Sequence, residues 1–155
     1  MNTVVLISMV AYHTNEEISY PEFLDFLGRS DLGGQYPEER FQSRVSLTLR
    51  NRSIGISARD ESGRLIGVCF GLTDFAYFLF ITDLGVDRSF ERLGIGTALL
   101  DRMHQEAGGT DDISVVTVAN PRAIPFYKKL GYRQDDSLVW KAGDVWTSFV
   151  VAKAP

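Results

Sequence analysis

The residues that first invite chemistry lie in "ERLGIGTALL", positions 91–100, where Gly94 and Gly96 stand one residue apart ahead of a run of helix formers. A glycine turn that enters a helix exposes the first backbone N–H groups, which have no intrahelical partner, and the helix dipole adds partial positive charge there. That is an anion site. Without Cβ atoms at Gly94 and Gly96 a phosphate can come close, and Arg92, with Arg88 nearby, adds full positive charge. The alternative is that the glycines serve only close packing of the helix on a sheet. Two familiar phosphate motifs do not fit. The dinucleotide fingerprint needs a third glycine where Leu99 stands, and the Walker sequence needs a lysine that "GIGTAL" lacks.

Other chemistries find little support. The single cysteine, Cys69, sits among apolar residues in "LIGVCFGL" and reads as a small buried hydrophobe rather than a reactive thiol. With only His13 and His104 there is no Cys/His cluster for zinc and no Ser/His/Asp set, so no metal is expected. A formal charge of −4 disfavours binding to a nucleic-acid backbone, which is held through clustered Lys and Arg. No apolar stretch approaches the roughly 20 residues that cross a bilayer, and "MNTVVLISMVAYH" has neither a basic leader nor a small-residue cleavage site. The expectation is a soluble, cytoplasmic protein with no membrane partner, folded as one domain over 1–155.

These residues need elements to position them. "TVVLISMV" (3–10) reads as a first strand, and "NEEISYPEFLDFLGRS" and "YPEERFQSRVSLTLRNR" read as helices separated by a polar break. "SIGISARD" (53–60) and "LIGVCFGLTD" (65–74) flank the turn "ESGR" and form a hairpin. "YFLFITDLGV" (77–86) is almost wholly apolar and is expected to be covered on both faces. There follow the glycine loop, a helix over about 94–107, a strand "ISVVTV" (113–118), a helix over about 121–130, and a final hairpin reaching "DVWTSFVV". Hairpins followed by a strand-helix-strand-helix unit imply an α/β (α+β) fold: a mixed, twisted central sheet of about six to seven strands with helices on both faces.

The stretch "DLGVDRSFERLGIGTALLDRM" resembles the acyl-CoA pyrophosphate loop of the GNAT superfamily of N-acetyltransferases, and "NPRAIPFYKKLGY" (120–132) resembles the family's Asn-x-x-Ala-x-x-Phe-Tyr-x-x-x-Gly-Phe/Tyr segment. The two occur in the family's order and at its separation. The resemblance implies acetyl-CoA as co-substrate, with the backbone of Leu84, Gly85 and Val86 pairing with the pantetheine arm. It places the pyrophosphate on Arg92, Leu93, Gly94, Ile95, Gly96 and Thr97, and Asn120 at the cofactor. It also implies a splay between two parallel central strands. A strand that diverges from its neighbour leaves backbone donors and acceptors that an amide-bearing ligand can satisfy. Asn120 reads equally as a helix N-cap, and Pro121 suits the first position of the helix that follows. By the same resemblance Tyr127 donates a proton to the departing thiolate; a plain core aromatic beside Phe126 is the alternative. Glu91 departs from the family's Gln/Arg at the start of the loop.

The attacking amine must be uncharged, and a lysine-like amine is only about 0.04% neutral at pH 7, so a proton acceptor or a desolvating pocket is needed. Asp83 is the nearest carboxylate in sequence and the candidate base, with a structural hydrogen-bonding role as its alternative; Asp74 is second, and Val115 stands where some relatives carry a glutamate. The expected activity is acetyl transfer to a primary amine of a small molecule or peptide, by direct attack in a ternary complex. A non-catalytic acyl-CoA-binding protein is the alternative. Asp25, Asp31, Glu38 and Glu39 hint at a cationic acceptor, and "VWTSFVV" could form an edge that pairs two copies into a homodimer. Acetyl-CoA is expected to raise the melting temperature well above the effect of NAD or ATP. Equal stabilisation by all three would overturn the acyl-CoA assignment, because a ligand stabilises only the state it prefers.

Overall fold

Side-chain caps and apolar spacing set the first elements of the structure, a computed structural model that describes residues 9–139 and Lys141. Helix α1 (Tyr20–Gly28) begins where the Ser19 hydroxyl accepts the Glu22 N–H and Pro21 occupies the first turn. Phe23, Phe26 and Leu27, spaced three and four apart, bury one face of it. A 3₁₀ turn at Asp31–Gln35 precedes α2 (Phe41–Asn51), which buries Val45.

Five strands form one sheet in the order β1-β2-β3-β4-β5: β1 (Ala11–Thr14), β2 (Ile54–Arg59), β3 (Leu65–Thr73), β4 (Phe78–Val86) and β5 (Ser114–Thr117). The β4–β5 pair is parallel and the others are antiparallel. This is the expected mixed sheet, with five strands among the described residues instead of six to seven. The expected first strand lies largely outside the described residues, and Met9 and Val10 precede β1; the first arm of the final hairpin is loop and turn over 132–139 rather than strand, and its "VWTSFVV" edge lies outside the described residues. At the β2–β3 turn Asp60 accepts the Ser62 and Arg64 N–H groups, and Gly63 takes the left-handed conformation (φ +84°) the turn requires.

Helix α3 (Ile95–Ala107) and the short helix α4 (Ile124–Lys129) cover one face of the sheet. Their Ile95, Leu99, Met103 and Tyr127 pack with Ile56, Cys69, Leu79 and Ile81. On the other face α1 and α2 pack Phe23, Phe26 and Val45 on Leu65, Val68 and Phe70. Burial of β4 on both faces is not what the structure has: Phe78 and Phe80 are 59% and 40% exposed, because α2 reaches Phe70 but leaves this part of the sheet open. Nor does Pro121 open α4. It lies in a turn ahead of the helix, whose own first turn contains Pro125.

Two irregularities in β4 shape the site. Phe70 pairs with Asp83 while the next residue, Gly71, pairs with Ile81, so Thr82 is an extra residue, a β-bulge. Strand side chains alternate with period two, so the bulge sends Asp83 and Gly85 to the α1–α2 face although Leu79 and Ile81 point to the α3 face. The parallel pairing with β5 ends at Ile81 and Thr117, after which Thr82–Val86 pair with no strand on that side among the described residues. At Gly85 a Cβ would stand 2.8 Å from Leu32 Cβ, so the 3₁₀ turn packs directly on the strand backbone. Gly85→Val should therefore cost about 1–3 kcal/mol in urea unfolding, the range for overpacking, with part of the loss recovered in combination with Leu32→Ala. Additive effects of the two substitutions would show that they do not share this contact.

Candidate active site

Past the last β4–β5 pair the two strands open a cleft of about 50 Å³ lined by Gln35, Thr82, Asp83, Leu84, Asn120 and Tyr127. The bulge brings Asp83 to it from β4, the start of α4 brings Tyr127, and the residues that follow β5 bring Asn120. Tyr127 is buried, with its ring edge-on to Phe126 and tilted against Tyr132, each 5.2 Å away between centroids. Burial first, and the nearby Cys69 second, push its phenol up to about 12, while the Thr117 hydroxyl acts in the opposite direction. The group is therefore protonated throughout the neutral range and has a proton to give.

Asp83 is buried and carries a donor on each oxygen: the Tyr36 hydroxyl on Oδ1 and the Thr82 hydroxyl, 2.6 Å away, on Oδ2. Desolvation raises its pKa, against the pull of the Thr82 and Tyr36 hydrogen bonds and of the Arg52 charge. Tyr36 is pushed well above an ordinary phenol by its own burial and by the Asp83 charge, so it stays a donor. Arg52 stacks its guanidinium 4.5 Å from the Phe70 ring centre and donates from Nη2 to Glu16 O at 2.8 Å. It fits because position 55 is glycine; a Cβ there would lie 2.0 Å from Arg52 Nε.

The other candidates fall into place unevenly. Leu84 lines the cleft and Gly85 abuts Leu32, while Val86 packs toward the α3 core. Gly94 caps α3 with φ +82° and Arg92 holds φ +62°, so the chain swings sharply into the helix. Among the described residues no side chain caps that helix, and no acidic residue occupies its first turn. Its leading N–H groups, from Ile95 to Thr97, thus remain open to a ligand. Leu93 and Ile95 place their side chains in the core, so they can offer only backbone, while Arg92 and Glu91 are exposed. Gly96 faces the Phe126 ring, 3.4 Å from where its Cβ would be, so packing against α4 accounts for this glycine at least in part. Asn120 accepts the Arg122 N–H at 3.0 Å, forming a turn ahead of α4 rather than capping it.

Three residues from the sequence reading serve elsewhere. Arg88 bonds Asp31 at 2.8 Å and the carbonyls of Gly28 and Ser30, so its charge is committed to that turn and not to a phosphate. Asp74 accepts the N–H groups of Ala76, Tyr77 and Phe78 at the β3–β4 turn, which hold it down to about 2. Val115 pairs with Leu79 and packs on the core. Sequence reasoning missed Tyr36, Thr82 and Arg52. A threonine-aspartate pair interrupting an apolar strand was the available signal for the bulge, and nothing local marked Tyr36 or Arg52.

The model of the acetyltransferase (GNAT) family matches residues 16–132. This chain belongs to the GNAT acetyltransferase family. An uncharacterised N-acetyltransferase of Pyropia yezoensis is 28% identical over 95 residues, 59% of this chain and 55% of its own length. The chain thus spans about half the length of such curated relatives. In fold the GNAT chain is similar to a Deinococcus radiodurans protein named as an acetyltransferase (TM-score 0.70, 23% identity, 92% of this chain and 94% of that one). It is similar also to a Clostridium acetobutylicum acetyltransferase solved with acetyl-CoA (TM-score 0.66, 21% identity, 86% and 96%). No group of three or more His, Cys, Asp or Glu side chains is placed to hold a metal ion among the described residues, and no helix among them is long and apolar enough to cross a membrane.

The buried carboxylate of this GNAT domain carries a stability signature. Asp83 holds its proton more tightly in the fold than in the unfolded chain, where an aspartate titrates near ~3.9. Its contribution is thus fully present below that pH and is lost as pH rises through the raised folded value. The stability of Asp83→Asn relative to wild type should therefore improve across that window in urea titrations at stepped pH. A difference that is flat with pH would mean that the carboxylate is not desolvated.

Proposed function

We propose that the chain transfers an acetyl group from acetyl-CoA to a primary amine by direct attack in a ternary complex. The observation that carries this reading is the open edge of β4 beyond Ile81, which leads to the uncapped N-terminus of α3 with Tyr127 and Asp83 in one cleft between them. The backbone of Leu84–Val86 would take the amides of the pantetheine arm, and residues 92–97 the pyrophosphate, through backbone N–H groups and Arg92. Asp83 would accept the proton of the entering ammonium. The amine nitrogen then attacks the thioester carbonyl; the C–N bond forms, the C–S bond breaks, and the thiolate takes the Tyr127 proton. The acetylated amine gives up its second proton to solvent, Tyr127 regains one by the same route, and Asp83 releases the proton it took, which closes the cycle.

One observation favours a second reading, acyl-CoA binding without turnover. Glu91 is exposed and acidic beside the place assigned to two phosphates, and both oxygens of Asp83 already hold donors. Thiol release from acetyl-CoA across a panel of amines separates the two. In the enzyme, Tyr127→Phe should keep stability and acetyl-CoA affinity while turnover falls by about 10² to 10⁴. A fall in affinity equal to the fall in rate would make Tyr127 a binding residue, since the lost contact would then exist before the transition state.

A further inference from the structure

Beside Asp83 a groove of about 760 Å³ runs between α2 and the open face of β3, β4 and the chain after β5. Its walls are apolar: Leu47 on α2 looks across at Leu72, Phe80 and Val118, all of them at least 40% exposed among the described residues. The charged side chains lining it are Arg44, Arg52 and Lys141, with Asp83 as its one carboxylate among the described residues. The acidic residues that hint at a cationic acceptor lie elsewhere and largely answer to arginines of their own: Asp25 to Arg29 at 3.0 Å, Asp31 to Arg88 at 2.8 Å, Glu39 to Arg40 at 3.2 Å.

An acceptor with several ammonium groups would set the first at Asp83 and the rest beside Arg44, Arg52 or Lys141. Like charges repel there, and a buried ammonium without a carboxylate is costly. A single amine on an apolar body meets neither penalty and gains about 25 cal/mol for each Å² of apolar surface it covers. We propose that the acceptor is a monoamine on an aromatic or branched aliphatic body lying in this groove with its nitrogen at Asp83. The inference rests on the acetyl-transfer reading and names its substrate class.

The test compares 2-phenylethylamine with spermidine, in wild type and in Leu47→Asp, by thiol release from acetyl-CoA. Leu47 is 50% exposed, so the substitution leaves the core intact, as an unchanged melting temperature and acetyl-CoA affinity would verify. The expected result is a kcat/KM for 2-phenylethylamine at least about tenfold above that for spermidine, falling by about tenfold in Leu47→Asp while spermidine holds or gains. Preference for spermidine, or indifference of 2-phenylethylamine to Leu47→Asp, would overturn it. Should neither amine turn over although acetyl-CoA binds, the wider panel of amines decides the acetyl-transfer reading separately. NMR titration of both amines against the CoA-saturated protein then decides the groove. Binding of 2-phenylethylamine that Leu47→Asp abolishes supports it, and no binding, or tighter binding of spermidine, overturns it.

Discussion

The bulge at Thr82 sets the alternation of every β4 residue after it, and the site follows from that one insertion. Without it Asp83 would share the α3-facing side with Leu79 and Ile81, a charged group among aliphatic side chains with no donor to meet it. With it, the carboxylate turns to the Tyr36 hydroxyl, and the bulged residue itself supplies the second donor. The same insertion comes where β5 stops pairing, so one short stretch of strand both frees its backbone edge and re-aims its side chains.

Around the cleft burial favours the neutral forms of the titratable groups. Tyr127, Tyr36, Asp83 and Cys69 are all shifted toward their neutral forms, with burial the largest cause in each. The ion pairs stand elsewhere. Arg29 holds Asp87 and Asp25, and Arg59 bridges Glu16 and Glu22. Under the proposed acetyl transfer, such desolvation would shift an entering amine toward the neutral form that can attack a carbonyl.

What could be read in advance was what local sequence decides. The β2–β3 turn follows from Gly63 and its neighbours, the entry to α3 from Gly94, and the existence of Tyr127's helix from the motif around it. The open face of β4 could not be read, because an apolar run looks the same whether a helix covers it or stops short. Pairing register is equally silent in one strand taken alone, so Asp83 was found by nearness in the chain, while its partner Tyr36, 47 positions away, was not. Arg88 misled for the same reason: its acidic partner, Asp31, arrives from a turn 57 positions earlier.

That turn is held at three points. Leu32 fills the notch above Gly85, Asp31 takes Arg88, and Tyr36 ends on Asp83. Loops near such clefts are ordinarily the part of a protein that evolution can rewrite freely. Here the segment 31–36 is instead keyed to the strand beneath it, so rewriting it would disturb the backbone of β4 along with whatever it recognises. If the groove takes the acceptor as proposed, variation in specificity is channelled to the groove-lining face of α2, where residues such as Arg44 and Leu47 can change without loosening any of those three anchors.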